Sequence, residues 1–169
     1  ISGLDSVGGI LGYYYCDDDM LLENTNNSGT ITGRTAVGGI VGMGGGVSMS
    51  GPPSAGIGCV SVSRAENSGA VSGSGNSVGG IIGVGTSSKS IDNVLNTGTV
   101  QGRDQVGGII GNSVEGIVEN ALNLGQVIAA DGNAQYCGGI VGWGPGAIVS
   151  DKAVYATTDK DCLLYTSPS

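Results

Sequence analysis

Short aliphatic runs separated by glycine and turn residues recur along the chain, and one run keeps the same form each time. It reads Val-Gly-Gly-Ile, an aliphatic residue and Gly, with Cys in place of Val in the last copy. A second phrase, Asn-x-Gly, precedes it four times, with a β-branched segment and a turn between them. A fixed order of phrases at a regular period predicts stacked copies of one small unit. Copies of the first phrase occupy residues 7–12, 37–42, 78–83, 106–111 and 137–142, and copies of the second occupy 27–29, 67–69, 96–98 and 123–125.

The double-glycine phrases follow one another at intervals of 30, 41, 28 and 31 residues. The long interval contains residues 43–56, whose Gly and Pro-Pro content predicts a loop inserted into an otherwise regular unit. Such insertions can carry binding in repeat arrays, although a plain surface loop is the simpler interpretation. We therefore expect one repeat array over residues 1–150, with an insertion at 43–56.

Within one unit, residues 96–123, the pattern predicts three short strands at 99–101, 105–110 and 116–119, with turns at 102–104 and 111–113. Segments this short, rich in β-branched residues and bounded by turn residues, are typical of strands. The aliphatic residues show no period of 3.6, so no helix is expected. The predicted fold is all-β: a parallel β-helix (β-solenoid) with three short strands per rung and about four to five rungs.

The two phrases have separate structural reasons. Side-chain amides stacked about 4.8 Å apart can donate to one neighbour and accept from the other, whereas stacked aspartates would repel. We expect a ladder, or equivalent capping turns, from Asn27, Asn67, Asn96 and Asn123, and the glycine of Asn-x-Gly can adopt a positive φ. The double glycine removes side chains where the backbone bends or is closely approached. These structural-turn glycines are Gly8, Gly9, Gly38, Gly39, Gly79, Gly80, Gly107, Gly108, Gly138 and Gly139.

Composition excludes several classes of function. The 169 residues include 35 glycines, no phenylalanine and no histidine, and the formal charge is −8. A nucleic-acid partner would be repelled by this charge, and no apolar run approaches the roughly 20 residues that span a bilayer. Without histidine or closely spaced cysteines a zinc site is disfavoured, and we expect no cofactor. Structural thiols are favoured and disulfides stay open for Cys16, Cys59, Cys137 and Cys162.

The phrase pair resembles the GLUG repeat of large bacterial surface proteins and of immunoglobulin-A-cleaving metallopeptidases. Besides the double-glycine phrases, residues 66–73 (ENSGAVSG) and 93–102 (NVLNTGTVQG) match it. The resemblance covers roughly residues 1–150, and the departures are the insertion at 43–56, Cys137 in place of Val and the poorly matching residues 13–23. The resemblance implies a right-handed parallel β-helix on a secreted or wall-attached bacterial protein. It does not imply peptidase activity in this stretch.

The two ends of the chain differ from the repeats. The sequence begins in the middle of a phrase, so we expect a piece of a longer polypeptide whose targeting signals lie elsewhere. Residues 151–169 contain no repeat phrase, and their final LLYTSPS resembles a translated adaptor sequence. We interpret 151–169 as a non-native tail or, alternatively, as a native exit strand.

Two segments resemble sites of chemistry. Residues 75–79, GNSVG, match the G-x-S-x-G nucleophile elbow, but the equivalents of Ser77 are Ser6, Ala36 and Gln105, and no histidine can serve as base. The dense acidic run of Asp17, Asp18 and Asp19 could hold calcium, although it lacks the spacing of a known calcium loop. A solvated loop is the favoured interpretation of that run.

Aromatic residues are few. Of the adjacent Tyr13, Tyr14 and Tyr15, one is expected to pack inward because successive residues of a strand face opposite sides. Trp143 could stack on a sugar, and covering the end of the coil is the favoured alternative.

These observations predict a non-catalytic structural or adhesive repeat region of a bacterial cell-surface or secreted protein, acting as a stalk or display scaffold. Its partner would be a host or cell-surface protein or a glycan. One alternative is a polysaccharide-processing β-helix enzyme, for which only Asp17, Asp18 and Asp19 offer enough carboxylates. The other is a spacer beside a metallopeptidase domain that lies outside this sequence.

Overall fold

A computed structural model describes residues 1–15, 18–45, 59–85, 90–129, 136–150 and 154–155. Within these ranges the chain is all-β, with short strands joined by tight bends and no helix. Consequently no helix in the described part could cross a membrane.

Equivalent strands recur in the same order in each rung. The first rung holds β1 (Asp5–Gly8), β2 (Leu11–Tyr14) and β3 (Met20–Asn27). The second holds β4 (Ile31–Gly33), β5 (Thr35–Gly38), β6 (Val41–Gly44) and β7 (Val60–Asn67). The third holds β8 (Val71–Gly73), β9 (Asn76–Gly79), β10 (Ile82–Gly85) and β11 (Ser90–Asn96). The fourth holds β12 (Val100–Gly102), β13 (Asp104–Gly107), β14 (Ile110–Ser113) and β15 (Glu115–Asn123). The last holds β16 (Val127–Ala129), β17 (Cys137–Gly138), β18 (Val141–Trp143) and β19 (Gly146–Val149), followed by β20 (Val154–Tyr155).

Each strand pairs with its equivalent in the next rung, which produces four stacked sheets. Their orders are β1-β5-β9-β13-β17, β2-β6-β10-β14-β18, β3-β7-β11-β15-β19 and β4-β8-β12-β16, and β20 pairs with the end of β15. All of these pairs are parallel and join equivalent residues, as in Val37 with Val78 and Asn67 with Asn96. The fold is therefore a parallel β-solenoid of about four turns, and the predicted fold class is confirmed.

The number of strands per complete rung is four, where three were predicted. The predicted strand 105–110 is two strands, β13 and β14, separated by a corner at Gly108 and Ile109, and the predicted turn 111–113 lies inside β14. The sequence does not reveal this corner because Ile109 within it and Val106 and Ile110 on its two sides are all buried. Two inward-facing runs joined by a glycine corner look like one apolar strand.

The boundaries of the other predicted segments also change. Met43, predicted to begin the insertion, belongs to β6 and pairs with Tyr13 and Val84. The remainder of that insertion from residue 46 onward lies outside the described residues. In the segment 151–169, Val154 and Tyr155 pair with Leu122 and Asn123, and the rest lies outside them.

Columns of aliphatic side chains fill the interior in two separate clusters. One lies between the sheet that contains β2 and the sheet that contains β3, and it includes Ile40, Ile81 and Ile109. The other lies between the sheet that contains β4 and the sheet that contains β1, and it includes Val37, Val71 and Val100. Full burial of each such side chain stabilises the fold by roughly 1.5–3 kcal/mol, so these columns are the main source of stability.

Candidate functional site

The four asparagines predicted to form a ladder lie in one column at the ends of β3, β7, β11 and β15. Asn27 Nδ2 donates to Asn67 Oδ1, Asn67 Nδ2 to Asn96 Oδ1, and Asn96 Nδ2 to Asn123 Oδ1, each over 2.8 Å. Asn123 Nδ2 donates in turn to the carbonyl oxygen of Gly139 over 3.0 Å. Every amide of the ladder therefore donates toward the last rung.

Each ladder asparagine also closes its own turn. Its Nδ2 donates to the carbonyl oxygen of the glycine two residues later, over 2.8 Å from Asn27 and 3.1 Å from Asn123. Asn67, Asn96 and Asn123 are fully buried. A buried amide is tolerated only when hydrogen-bonded, and the ladder supplies these bonds along the whole column.

The two phrases of the repeat contact each other across the interior. A Cβ atom at Gly39 would lie 2.5 Å from Cγ of Asn67, and one at Gly80 would lie 2.5 Å from Cγ of Asn96. In the first four phrases the second glycine thus packs directly on a ladder amide. Because these contacts join opposite sides of the coil, the ladder separates the two aliphatic clusters.

The first glycine of each phrase lies against backbone. A Cβ atom at Gly107 would lie 1.9 Å from the carbonyl oxygen of Ile110 and 2.6 Å from the nitrogen of Gly142. The last glycine of the phrase is equally confined and was not among the predicted site residues. A Cβ atom at Gly111 would lie 2.5 Å from the nitrogen of Val78. Because this glycine ends all five phrases, the sequence could have identified it as a structural position.

The third position of Asn-x-Gly is glycine for a different reason from the one that we expected. Within the described ranges the glycines with a left-handed φ are Gly45 and Gly116, so the expectation of positive φ in Asn-x-Gly is wrong. Instead, a Cβ atom at Gly98 would lie 2.0 Å from the carbonyl oxygen of Gly69, and one at Gly125 would lie 2.0 Å from that of Gly98. These glycines permit backbone to stack on backbone from rung to rung.

Left-handed backbone occurs at non-glycine residues instead, in two columns with φ between 45° and 63°. Asparagine tolerates this conformation better than most residues, which was a usable signal in one column. The other column carries no such signal and contains Ser77, a mostly buried residue whose Oγ donates to Gln105 Oε1 over 2.7 Å. The two columns are Ser6, Ala36, Ser77 and Gln105, and Asn24, Arg64, Asn93 and Asn120.

The described residues of the acidic run, Asp18 and Asp19, do not form a metal site. The backbone carbonyl of Asp18 accepts a hydrogen bond from Tyr14, and Asp19 Oδ1 accepts the backbone N–H of Cys59 over 3.1 Å. Asp17 lies outside the described residues. Among those described, no three His, Cys, Asp or Glu side chains are grouped to hold a metal ion.

The aromatic residues lie near opposite ends of the coil. Tyr14 packs against the aliphatic core, while Tyr13 and Tyr15 are exposed and stack with ring centroids 6.5 Å apart, so the expected alternation is confirmed. Trp143 lies on the last strand of its sheet, half-buried, with its ring 6.2 Å from that of Tyr136. An aromatic pair therefore borders each end.

Cys137 is disulfide-bonded, so the favoured expectation of a structural thiol is wrong there. Cys16 and Cys162 lie outside the described residues. A cysteine in place of Val at the start of the last double-glycine phrase is thus covalently tied, in a position where the other rungs use an aliphatic side chain.

The outer surface carries polar contacts between rungs. Asp5 and Arg34 form an exposed ion pair, with Arg34 Nε 3.0 Å from Asp5 Oδ1. The hydrogen bond from Arg34 lowers the pKa of the Asp5 carboxyl, and the Asp5 carboxylate raises the pKa of Arg34. A shallow pocket of about 240 Å³ adjoins this pair and is also lined by Ser6, Thr35, Ala36 and Met43.

The long strands β3, β7, β11 and β15 present a second polar face. Arg64 pairs with Glu23 over 3.0 Å and donates to Asn24, while both carboxylate oxygens of Asp92 accept amide hydrogen bonds, from Asn93 and Asn120. The bonds of Arg64 and Asn120 join neighbouring rungs, and the bond from Asn93 to Asp92 lies within one rung.

Fold and ladder together define this chain as a parallel β-solenoid repeat protein. No protein-family model, curated protein or solved structure matches it.

Proposed function

We propose that this chain is a non-catalytic scaffold, the stalk or display region of a bacterial cell-surface or secreted protein. The supporting observation is that a buried asparagine ladder bonds each of the first four rungs to the next. Those bonds fix the spacing of the outer side chains, so that any partner meets regular columns on a stiff support. The resemblance of the repeat phrases to the GLUG repeat supports the extracellular setting.

The partner in this proposal is a protein or glycan of a cell surface. A formal charge of −8 disfavours polyanionic partners, because like charges repel during association. The exposed tyrosines Tyr13 and Tyr15, with the polar face of β7 and β11, supply aromatic and amide groups of the kind that recognise sugars and loops.

Stretching single molecules between their ends tests the scaffold. We expect unfolding at high force, and a lower force for Asn96→Ala than for Thr97→Ala, its exposed neighbour. The first variant loses the ladder bonds of Asn96, whereas the second keeps them. A chain that extends at low force in both variants would not suit a stalk.

Turnover of polysaccharides tests the non-catalytic half of the proposal. We expect no new reducing ends or unsaturated products from neutral or acidic polysaccharides. Turnover that disappears when Asp17, Asp18 and Asp19 are replaced by alanine would make the chain an enzyme, and scaffolding would then be secondary.

A further inference from the structure

We propose that the pocket beside the Asp5–Arg34 pair binds one neutral pyranose unit of a glycan. Its volume is about 240 Å³, and its lining consists of Asp5, Ser6, Arg34, Thr35, Ala36 and Met43. The first and second rungs both contribute to this lining, so the stacking of two rungs creates the pocket. The inference rests on the proposed function and narrows its partner to a glycan.

Two columns of side chains meet at the pocket. One is the left-handed column of the sheet that contains β1, namely Ser6, Ala36, Ser77 and Gln105. The other lies in the sheet that contains β2, namely Tyr13, Met43, Val84, Asn112 and Trp143. In the fourth rung Asn112 Nδ2 donates to Gln105 Oε1 over 3.0 Å, whereas in the second rung Ala36 and Met43 line the pocket together. The two columns therefore form facing pairs, and the pair in the second rung leaves a space.

The size of one side chain decides whether this space is filled. Gln105 extends toward Asn112, and its Oε1 also accepts the hydroxyl of Ser77 over 2.7 Å. Ala36 has only a methyl group at the aligned position, although its φ of 55° is nearly the same as the 53° of Gln105. The backbone is thus alike in the second and fourth rungs, and the pocket is open because Ala36 is short.

The polar side of the pocket offers donors and acceptors next to each other. Arg34 Nε and Nη2 donate to the two carboxylate oxygens of Asp5, and the side chains are 60 % and 45 % exposed. A guanidinium has five N–H donors and each carboxylate oxygen has two lone-pair sites, so the ion pair can bond further groups. The hydroxyls of Ser6 and Thr35 add groups that both donate and accept. Neighbouring hydroxyls of a pyranose match this set, because each of them can donate to Asp5 and accept from Arg34.

Charge favours a neutral sugar over an acidic one. Asp5 and Arg34 together carry no net charge, so the pocket holds no unpaired cation for a carboxylate among its lining residues. The formal charge of the chain is −8, which repels an acidic sugar as it approaches. A neutral pyranose has neither disadvantage.

The opposite side of the pocket is apolar. The methyl group of Ala36 and the polarisable thioether of Met43 fit the C–H face of a sugar ring. Tyr13 pairs with Met43 and is 49 % exposed, so its ring offers an apolar surface to the next unit of a longer glycan. Pockets for drug-sized ligands measure roughly 300–1,000 Å³, so this smaller pocket suits a single ring.

Titration of the chain with methyl glycosides of glucose, galactose, mannose and N-acetylglucosamine tests the pocket. NMR spectra of the ¹³C-labelled methionine methyl groups report on it, because Met43 lines the pocket and Met20 packs against the core. We expect at least one glycoside to shift the Met43 signal saturably, with a Kd in the millimolar range that suits so small a ligand. The Met20 signal should not move.

Three variants locate the binding. Ala36→Gln introduces the side chain that the fourth rung carries on the same backbone conformation, so it should fill the pocket and abolish the shift. Thr97→Gln adds the same side chain at an exposed position and should bind like the parent. Arg34→Gln should weaken binding about tenfold, as expected when a hydrogen bond from a charged group is lost. Because Arg34 is exposed, this last variant decides the case in which Ala36→Gln does not fold.

Four results overturn the proposal. They are no shift of Met43 with any of the four glycosides, equal binding by the folded Ala36→Gln or the Arg34→Gln variant, tighter binding of methyl glucuronide than of methyl glucoside, and a Met43 shift caused only by short acetylated peptides. The last result would assign the pocket to a protein partner. The stalk function is judged separately by the unfolding force, so a stiff chain that binds no sugar would lose only the pocket. A chain that binds sugar but extends at low force would keep the pocket and lose the stalk.

Discussion

At the scale of single residues, the repeat phrases are explained by contact distances. Glycine is required at Gly107 because a carbonyl oxygen and a backbone nitrogen occupy the space of a side chain. Gly108 is required because the amide of Asn123 lies where its Cβ would be, at 2.1 Å from Nδ2. These positions require glycine because there is no room for a side chain. The left-handed backbone conformation occurs at other positions.

Replacement of Gly107 by Val should strongly destabilise the fold. A side chain there overlaps backbone atoms that cannot rotate away, so we expect a loss of roughly 3 kcal/mol or more. Thr97→Val, at an exposed position, should change stability by less than about 0.5 kcal/mol. Chemical denaturation of both variants measures the difference, and equal midpoints would contradict the packing described for the corner.

The left-handed column on the long strands predicts a reversal of the usual order of alanine and glycine. Asn120 has φ of 45°, where alanine is strained and glycine is not. Asn120→Gly should therefore be more stable than Asn120→Ala by about 1 kcal/mol, since both lose the same bond to Asp92. The neighbouring Glu119 supplies the control, because there the alanine variant should be the more stable. An unreversed order at Asn120 would rule out the strained backbone.

Thr25 is a polar residue in an otherwise aliphatic column. Its Oγ1 is buried without a hydrogen-bond partner in the described part of the chain, and the residues aligned with it are Ala65, Val94 and Ala121. Thr25→Val keeps the shape and removes the unpaired hydroxyl, so we expect a gain of about 1 kcal/mol. Thermal denaturation beside Thr97→Val measures it, and a loss of stability would mean that the hydroxyl is bonded in solution.

The sequence predicted the residue chemistry unevenly, for identifiable reasons. The asparagine column was accessible because one residue type recurs at one place in every unit. The left-handed Ser6, Ala36, Ser77 and Gln105 were not, because their side chains share no property and only the backbone is common to them. A side chain that makes the same bond in every unit therefore recurs in the sequence, whereas a shared backbone conformation leaves no such signal.

At the scale of elements, each rung is held by bends at which two short strands meet. The strand count was underestimated because both sides of a double-glycine corner are apolar, and a pattern of alternating burial cannot reveal a corner between them. The parallel pairing was predictable, because copies of one unit stacked in register place like strands side by side. The contact of Asp5 with Arg34 was not, since the positions aligned with Asp5 hold Thr35, Asn76 and Asp104, which share no charge.

The Asp5–Arg34 pair ties β1 to the bend between β4 and β5, and its contribution should depend on pH. The pKa of Asp5 is lowered in the folded chain, so its stabilising effect is present above the ordinary carboxyl pKa and is lost as pH falls through the folded value. We expect the protection of the β1 amides from hydrogen exchange to fall under acid, and to fall more in the parent than in Asp5→Asn. NMR-detected exchange measures this, and identical acid responses would show that the exposed pair contributes nothing to the first rung.

At the scale of the whole molecule, stability passes from rung to rung, and the two ends are unequal. The last ladder amide donates to Gly139, while Asn27 Oδ1 accepts, among the described residues, only the N–H of Gly29 and lies in the same rung as half-buried Leu11 and Met20. In a stacked array each rung is stabilised by its neighbours, so an inner rung has two supports and the first rung has one. In a polypeptide of residues 1–169, the first rung should therefore open before the inner rungs.

The ladder permits a direct comparison of an inner position with an end position. Asn96→Leu leaves Asn67 Nδ2 without its ladder acceptor and Asn123 Oδ1 without its ladder donor, in a fully buried place, so we expect a loss of about 3 kcal/mol. Asn27→Leu removes the ladder donor of Asn67 Oδ1 alone, beside an edge that water reaches, and should cost about 1 kcal/mol. Urea denaturation gives both values, and hydrogen exchange locates the damage. It should spread over β7, β11 and β15 in the first variant and stay within β3 and β7 in the second. Equal losses would mean that the asparagines act as separate turn caps, with no energy passed along the column.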